Sequence, residues 1–470
     1  MKNIVFWSGV WPGLGDEMTP VVQRPMAVYA LAHWMRKNRF QCQVIDFLQW
    51  FNAASLIEFT EPLINKDTVC VAVSSVFFPT TPVTTPPLNI LLAMQKLKLK
   101  FPNLKFVVGG PYATNYYTHF DHCFTGEGED QFLKWCQEQS MGLSMPGSFF
   151  NIKTNDHQFH EDDCIMPNEA LPLELGRGCI FKCSFCTYPN LGKAKGSYIR
   201  DMSLIENEIS RNKEMFGTTN YVLLDDTVNE DPDKIADLAK INERLGYTMK
   251  WSGFLRLDLI WSQKNHQVLL ESGLDQCYFG LESFHPLASR RIGKGWNGKH
   301  AKDFIPLLAE THWNNTVGIE GSFISGLPGE PVESIRESVQ WVKDHNYVRG
   351  YFRGLRILND SEFGKHPEKY NLTRKPWLAP GDLLGWEETG NPENNHLLHQ
   401  ELSKEFNRYL SPTWPMSGFY ASSLYTLGYS REEVSNFKFN QFRTLVLARK
   451  DKFISDYKQK LKSVVNRQWT

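Results

Sequence analysis

The segment Gly176-Arg-Gly-Cys-Ile-Phe-Lys-Cys-Ser-Phe-Cys-Thr-Tyr188 is the most informative part of this 470-residue chain for predicting its fold. It places Cys179, Cys183 and Cys186 at CxxxCxxC spacing directly after a predicted strand. Three thiolates on one short loop can bind three irons of a cubane and leave the fourth iron open to a ligand. A zinc ribbon would need a second CxxC pair, which the sequence lacks. The spacing therefore predicts a 4Fe-4S cluster with one open iron.

The other six of the nine cysteines fit scattered, reduced thiols of a cytoplasmic protein. Cys164 lies fifteen residues before Cys179 and is a conceivable fourth ligand. The stretch from Pro167 to Glu174 between them favours a separate thiol in a linker instead. The remaining five are Cys42, Cys70, Cys123, Cys136 and Cys277.

Around the cysteine loop, short apolar runs alternate with helical patterns. Six strands and five helices within about 190 residues predict an incomplete (β/α)6 barrel, because a closed eight-fold barrel needs roughly 250 residues. Chemistry in such barrels lies at the carboxyl ends of the strands. The predicted strands are residues 173–178, 221–225, 251–257, 276–281, 318–324 and 351–357, and the helices lie near 201–215, 232–244, 263–271, 299–310 and 331–344.

The first 140 residues follow a second α/β pattern. Apolar runs at 3–8, 44–47, 69–75 and 105–108 alternate with helical patterns at 25–38 and 88–100. Strands that are apolar on both faces and separated by helices indicate a doubly wound, Rossmann-like parallel sheet. Ligands of such sheets bind beyond the carboxyl ends of the strands. Those ends carry residues 9–15, 74–79, 109–112 and 126–129, which are rich in glycine and serine.

Four regions result from these patterns: 1–140 as the Rossmann-like domain, 141–169 as a linker, 170–375 as the partial barrel, and 376–470 as a mainly helical C-terminal domain. The last region has many aromatic residues, which suit either a domain with its own core or a cap over a substrate.

Composition narrows the function classes. Lys and Arg total 51 against 52 Asp and Glu, so no overall field attracts nucleic acid or an anionic membrane, and no nucleic-acid-binding module is recognisable. No secretory signal and no membrane span is evident, which predicts a cytoplasmic protein.

The cysteine motif resembles that of the radical S-adenosylmethionine (SAM) superfamily, and the resemblance extends over about residues 170–360. It implies that the open iron binds the amino and carboxylate groups of SAM, and that SAM is cleaved reductively to a 5′-deoxyadenosyl radical. Phe185 would pack beside the adenine. Gly280-Leu-Glu-Ser283 resembles the family's GxES segment, and residues 323–330 resemble its glycine-rich adenine-side segment. The implied SAM-binding residues are Phe185, Asp226, Arg256, Glu282, Ser283 and Gly326. Asp225 and Glu330 are equally compatible with roles at helix starts.

A doubly wound domain before such a barrel resembles the cobalamin-binding subgroup of radical SAM proteins. The resemblance rests on Val73-Ser-Ser75, Val107-Val-Gly-Gly-Pro111 and Thr125-Gly-Glu-Gly-Glu129. It implies cobalamin contacts from Ser74, Ser75, Gly109, Gly110, Gly126 and Glu127. One departure is the absence of a DxHxxG motif, which supplies a cobalt-ligating histidine in many cobalamin proteins. A domain kept for packing or for substrate binding is the alternative.

Together these resemblances imply cobalamin-dependent methylation of an unactivated carbon, with a reductant such as flavodoxin or ferredoxin as partner. The substrate, a small molecule or a peptide, is not indicated by any motif. Radical rearrangement or cyclisation without methyl transfer is the alternative within the class. A non-catalytic iron-sulfur sensor or binding protein is the alternative outside it.

Overall fold

The computed structural model describes residues 1–11, 21–76, 78, 85–110, 113–140, 149–187, 198–294, 296–375 and 383–468. The chain forms two compact units. Unit 1 comprises Met1–Pro172, Asn207–Thr218 and Arg443–Thr470, and unit 2 comprises Leu173–Glu206 and Thr219–Phe442. The domain limits drawn from the sequence stay a prediction. Several positions of the strand ends and motifs quoted above lie outside the described residues, namely 12–15, 77, 79, 111, 112 and 188.

Unit 1 contains a five-stranded sheet with the order β2-β1-β3-β4-β5 and parallel pairing. This is a doubly wound order in which ligands bind where the direction of strand succession reverses, here between β1 and β3. The strands are β1 (Asn3–Trp7), β2 (Gln41–Ile45), β3 (Thr68–Ser74), β4 (Phe106–Gly109) and β5 (His122–Phe124); the helices are α1 (Met26–Lys37), α2 (Ala53–Thr60), α3 (Leu88–Lys100) and α4 (Glu129–Gln139). The predicted Rossmann-like class is confirmed.

Part of the predicted linker is packed into unit 1. Asp163 and Glu169 carry side chains with no exposed surface, and each pairs with an arginine. Arg36 Nη2 lies 2.6 Å from Asp163 Oδ1, and Arg24 Nε lies 2.7 Å from Glu169 Oε1. Since a buried charge is costly unless paired, these contacts hold residues 149–169 against the unit. Cys164 is buried there too, with its thiol 3.5 Å from the carbonyl oxygen of Asp162.

Unit 2 is built on a six-stranded sheet in sequential order, β6 to β11. The pairs from β7 to β11 are parallel, as expected for the predicted partial barrel. The strands of this sheet are β6 (Leu171–Leu173), β7 (Asn220–Leu223), β8 (Lys250–Leu255), β9 (Leu274–Glu282), β10 (Gly318–Ser325) and β11 (Val348–Gly354). Along the chain, the helices between β6 and β11 are α5 (Met202–Phe216), most of which belongs to unit 1, α6 (Pro232–Arg244), α7 (Leu257–Gln263), α8 (His266–Glu271), α9 (Pro286–Arg291), α10 (Gly298–Pro306) and α11 (Val332–Asp344).

Two predicted elements differ in the structure. The strand expected over 173–178 ends at Leu173, because the amide of Leu175 donates instead to the Asp225 carboxylate at 2.8 Å. The helix expected near 263–271 begins only at His266, as α8, and is preceded by an unpredicted helix, α7. The two are separated at Lys264, which adopts a left-handed conformation with φ of 52°. Such a residue cannot continue a right-handed helix.

After the barrel comes an antiparallel sheet that the sequence analysis did not predict. It contains β12 (Ile357–Leu358), β13 (Leu372–Lys375), β14 (Leu383–Glu388) and β15 (Asn391–Asn395). Gly390, with φ of 82°, permits the tight turn between β14 and β15. The helices of the region are α12 (Glu362–Lys365), α13 (His396–Leu410), α14 (Gly418–Thr426), α15 (Arg431–Asn436) and α16 (Phe442–Gln468).

Helix α14 packs against β7, β8, β9 and β10. The contacts come from one face of the sheet, for example Ser422 with Ser252 and Phe419 with Phe254. The helix therefore covers part of this face of the sheet. Among the described helices, none combines the length and apolar character that crossing a membrane requires.

Candidate functional site

The cysteine loop follows β6 and is fastened by Ser184. The amide of this buried residue donates to the carbonyl of Ile292 at 3.0 Å, and its own carbonyl accepts from the amide of Phe363 at 3.0 Å. The amide of Cys186 donates to the carbonyl of Cys183 at 3.0 Å, which closes a turn between two of the cysteines. None of the three cysteines takes part in a disulfide and each is partly exposed, as ligands of an added cluster need to be.

Two neighbouring strand ends reach the cysteine sulfurs. Thr227, after β7, has its hydroxyl 3.5 Å from Cys179 Sγ, and Arg256, after β8, has Nη1 3.8 Å from Cys183 Sγ. Burial raises the pKa of the Cys183 thiol, while the positive charges of Lys294 and Arg256 oppose that rise. These cations therefore favour the thiolate, the form that binds iron.

Arg256 is held in place from several sides. Its guanidinium pairs with the Asp258 carboxylate, where Nη2 and Oδ2 are 2.8 Å apart, and donates to the carbonyl of Lys294 at 2.8 Å. The guanidinium carbon lies 3.9 Å from the centre of the Phe181 ring, within the cysteine loop. The structure thus brings the predicted residue Arg256 beside the cysteines.

Glu282, in the segment that resembles GxES, adopts an unusual conformation. Its φ is 62°, and the pairing of β9 with β10 shifts by one residue at this point. Left-handed non-glycine residues and bulges re-aim side chains at functional sites. The carboxylate is buried and pairs with Lys294, whose Nζ lies 2.9 Å from Oε1 and also donates to the carbonyl of Gly280.

Ser283 and Glu330 join the ends of β9 and β10. The Ser283 hydroxyl donates to Glu330 Oε1 at 2.5 Å and accepts from the amide of His285 at 2.9 Å. Burial raises the pKa of Glu330 to about 8, so that the carboxyl is largely protonated at neutral pH. Its Oε2 is buried without a hydrogen-bond partner among the described residues. Glu330 precedes α11, which agrees with the expectation that it stands near a helix start.

Phe185 and Gly326 approach a common apolar cluster. Phe185, half-buried, packs against the cluster formed by Ala288, Ile292, Leu327, Leu355, Ile357, Phe363, Leu372 and Trp386. Gly326 has φ of 91°, and a Cβ there would lie 2.7 Å from the His399 ring and 2.8 Å from the Trp386 ring. The backbone after β10 therefore comes so close to these rings that only glycine fits.

The two aspartates after β7 are placed differently. Asp225 is buried, accepts from the Leu175 amide, and pairs with Lys234, whose Nζ lies 2.8 Å from Oδ2 and 2.7 Å from Glu230 Oε1. It does not cap a helix; Asp231 caps α6 instead. Asp226 is half-buried, and its role stays a prediction.

In unit 1 the predicted glycines and serines meet at the carboxyl ends of β3, β4 and β5. The Ser75 hydroxyl donates to the carbonyl of Gly109 at 3.0 Å. Gly110 has φ of 131°, and a Cβ there would lie 2.8 Å from Ser75 Oγ, so a side chain is excluded. Gly126 and Gly128 have nothing within 4 Å of a Cβ position, which leaves their backbone open to an incoming ligand. Ser74 is buried beside them, and Glu127 is exposed.

Sequence reasoning missed Lys294, Thr227 and Phe181. Lys294 follows Gly293 in a turn after α9, and only the fold brings it to Glu282. Thr227 stands two residues after the noted Asp225, and Phe181 lies inside the cysteine motif itself. For Thr227 and Phe181, the position within or beside a recognised motif was therefore a signal that the sequence offered.

Comparison with known proteins agrees with this arrangement. Residues 173–342 match the family model described as Radical SAM superfamily. Curated relatives include an uncharacterized methyltransferase of Pyrococcus horikoshii, 24% identical over 274 residues, which cover 51% of this chain and 58% of the relative. Another is bacteriochlorophyllide d C-12(1)-methyltransferase of Chlorobaculum tepidum, 22% identical over 177 residues, covering 37% and 38%. The chain thus spans 58% of the length of the first relative and 38% of the length of the second.

Solved structures extend the likeness in fold. The radical SAM methyltransferase TsrM from Kitasatospora setae, with tryptophan and a SAM analogue bound, has a TM-score of 0.64 at 13% identity, covering 96% of this chain and 99% of that one. The cobalamin-dependent SAM radical enzyme OxsB with aqua-cobalamin has a TM-score of 0.62 at 13% identity, covering 97% and 72%. With its cysteine loop after the first strand of a six-stranded sheet and the family match over residues 173–342, this part of the chain is a radical SAM domain.

Proposed function

We propose that this protein is a cobalamin-dependent radical SAM methyltransferase that methylates an unactivated carbon. The observation that carries the proposal is the placement of Cys179, Cys183 and Cys186 beside Arg256. Support comes from the relatives, since several are named methyltransferases and two structures with this fold have cobalamin or SAM analogues bound.

The three cysteines suit a 4Fe-4S cluster. They supply three soft sulfur ligands from one loop, and the partial exposure of all three leaves room for inorganic atoms. When bound, the cluster supplies the electron that cleaves SAM. Arg256 and Lys294 contribute positive charge at Cys183, which offsets the thiolate charge when ligands are added.

SAM would be bound by the strand ends that face the cysteine loop. Glu282 is held rigid by Lys294 and by its bulge, so its remaining oxygen is available as an acceptor for an ammonium or a ribose hydroxyl. Ser283 and Asp226 would add polar contacts. Phe185 and the backbone at Gly326 would flank the adenine, because both border the same apolar cluster.

Cobalamin would be bound by unit 1. Its large ring needs backbone that it can approach closely, and Gly126 and Gly128 offer this. Ser74, Ser75, Gly109, Gly110 and Glu127 surround the neighbouring strand ends. Without a DxHxxG motif the chain would bind cobalamin in a mode that lacks this histidine ligand. When bound, cobalamin supplies the methyl group.

The remaining parts of the proposal are an electron donor such as flavodoxin or ferredoxin and a cytoplasmic location. Radical rearrangement without methyl transfer would use the same residues of unit 2. The relatives' names favour methylation.

The test is anaerobic reconstitution of the full chain with iron, sulfide and hydroxocobalamin. We expect retained corrin absorbance, and release of 5′-deoxyadenosine from SAM with dithionite. Cys183→Ala should abolish the product and lower the bound iron, whereas Cys277→Ala, a buried cysteine of β9, should keep both. Absence of 5′-deoxyadenosine from the loaded wild type would refute the radical enzyme, and loss of corrin on gel filtration would refute the cobalamin part.

A further inference from the structure

On strands β10 and β11, one face of the sheet in unit 2 is buried near the start of the strands and more exposed towards their carboxyl ends. The buried pair Glu320 and Arg349 lies at the buried end, with Nη1 2.6 Å from Oε2. Arg349 is stacked there against the rings of Trp414, Tyr420 and Phe439, at 4.3 to 4.9 Å. Exposure then increases along β11, from buried Arg349 through half-buried Tyr351 to exposed Arg353.

Arg353 lies on this same face. Side chains alternate along a strand, so Arg349, Tyr351 and Arg353 point the same way, and Arg349 faces Glu320. The Arg353 guanidinium carbon is 5.1 Å from the centre of the Tyr351 ring. The neighbouring residues of the same face on β9 and β10, Tyr278 and Ser322, are half-buried.

The charges on this face do not balance. Arg256 pairs with Asp258, Lys294 with Glu282, and Arg349 with Glu320. Within the part of the chain that the structure describes, no carboxylate oxygen lies within 4.0 Å of the Arg353 guanidinium. An exposed planar guanidinium without a carboxylate partner is suited to bidentate binding of a carboxylate or phosphoryl group.

We propose that Arg353 binds an anionic group, carboxylate or phosphoryl, of the substrate that this protein methylates. Tyr351 and Tyr278 flank the anion with aromatic surface. That the anion belongs to a substrate rests on the proposed function, but anion binding at Arg353 can be measured without any turnover. It makes Arg353 a substrate-positioning residue on β11, on the opposite edge of the sheet from the cysteine loop on β6.

Calorimetric titration of the reconstituted full chain with benzoate, phenylphosphonate and neutral benzamide tests the proposal. We expect one or both anions to bind and benzamide not to bind. Arg353→Gln should weaken the anion by about 10- to 100-fold, the usual value of a charged hydrogen bond. Arg353→Lys should retain part of the affinity, because it keeps the charge but loses the bidentate geometry. The matched control is Arg356→Gln, an exposed arginine three residues further on, which should bind as wild type.

The results separate the possibilities. Preference for benzoate assigns a carboxylate, and preference for phenylphosphonate assigns a phosphoryl group. The proposal is overturned if neither anion binds, if Arg353→Gln binds them as wild type does, or if Arg353→Gln lowers the affinity for SAM itself, which would assign the arginine to SAM. Release of 5′-deoxyadenosine without substrate, measured in parallel, reports on the proposed function independently of this site.

Discussion

Glu330→Gln is expected to change how the stability of the protein depends on pH. Burial raises the pKa of this carboxyl to about 8, against about 4.3 for an exposed glutamate. The folded protein therefore binds more protons than the unfolded chain, and its stability falls as pH rises from about 4.3 towards 8 and is constant above that. A glutamine has the same shape and still accepts from Ser283, but it does not titrate.

The magnitude follows from the pKa. Two units separate pH 6 from a pKa of about 8, and each unit is worth about 1.4 kcal/mol, so the wild type should lose about 3 kcal/mol relative to Glu330→Gln between pH 6 and pH 9. For a unit of about 250 residues this corresponds to roughly 6 °C in melting temperature.

Differential scanning fluorimetry at pH 6 and pH 9 on both proteins measures the effect. Other titrating groups shift both melting temperatures alike, so the difference between the two proteins isolates Glu330. Glu333→Gln, which alters an exposed carboxylate on the first turn of α11, should melt as the wild type does at both values. A gap between wild type and Glu330→Gln that stays the same from pH 6 to pH 9 would contradict a raised pKa at this buried position.

Two further predictions concern backbone and charge. Gly110→Ala should destabilise the protein by about 1–3 kcal/mol and reduce hydroxocobalamin retention, because the new Cβ would lie 2.8 Å from Ser75 Oγ. The control Gly126→Ala should destabilise the protein less, because its Cβ would have nothing within 4 Å. Equal melting temperatures for the two variants would contradict the close approach at Gly110. Lys234→Met should lower the free energy of unfolding, measured by urea titration, by about 3–5 kcal/mol, because it leaves Asp225 without its buried partner. The control Lys240→Met, at an exposed lysine, should leave the free energy of unfolding nearly unchanged. A small effect of Lys234→Met would mean that Asp225 is neutral when buried.

The order of elements was largely readable from the sequence. Apolar runs alternating with amphipathic stretches located β1 to β4 and β7 to β11, since burial on both faces demands continuous apolar residues. The short strand β5, which is partly exposed, was not predicted. Strand β15 was not predicted either, because Asn391–Asn395 has no apolar period and owes its form to pairing with β14. The division between α7 and α8 escaped because it depends on one left-handed lysine.

For the candidate site, sequence alone determined the CxxxCxxC loop and its place after the first barrel strand, because ligand spacing within one loop is a local property. Which side chains face those cysteines depended on tertiary structure. Lys294 meets Glu282, and Thr227 meets Cys179, only because parallel strands bring distant loops to one edge of the sheet. The unpaired guanidinium of Arg353 is likewise a property of the folded face, because no spacing in the sequence distinguishes Arg353 from Arg349. Only the tertiary structure gives Arg349 a carboxylate partner, Glu320, and gives Arg353 none among the described residues.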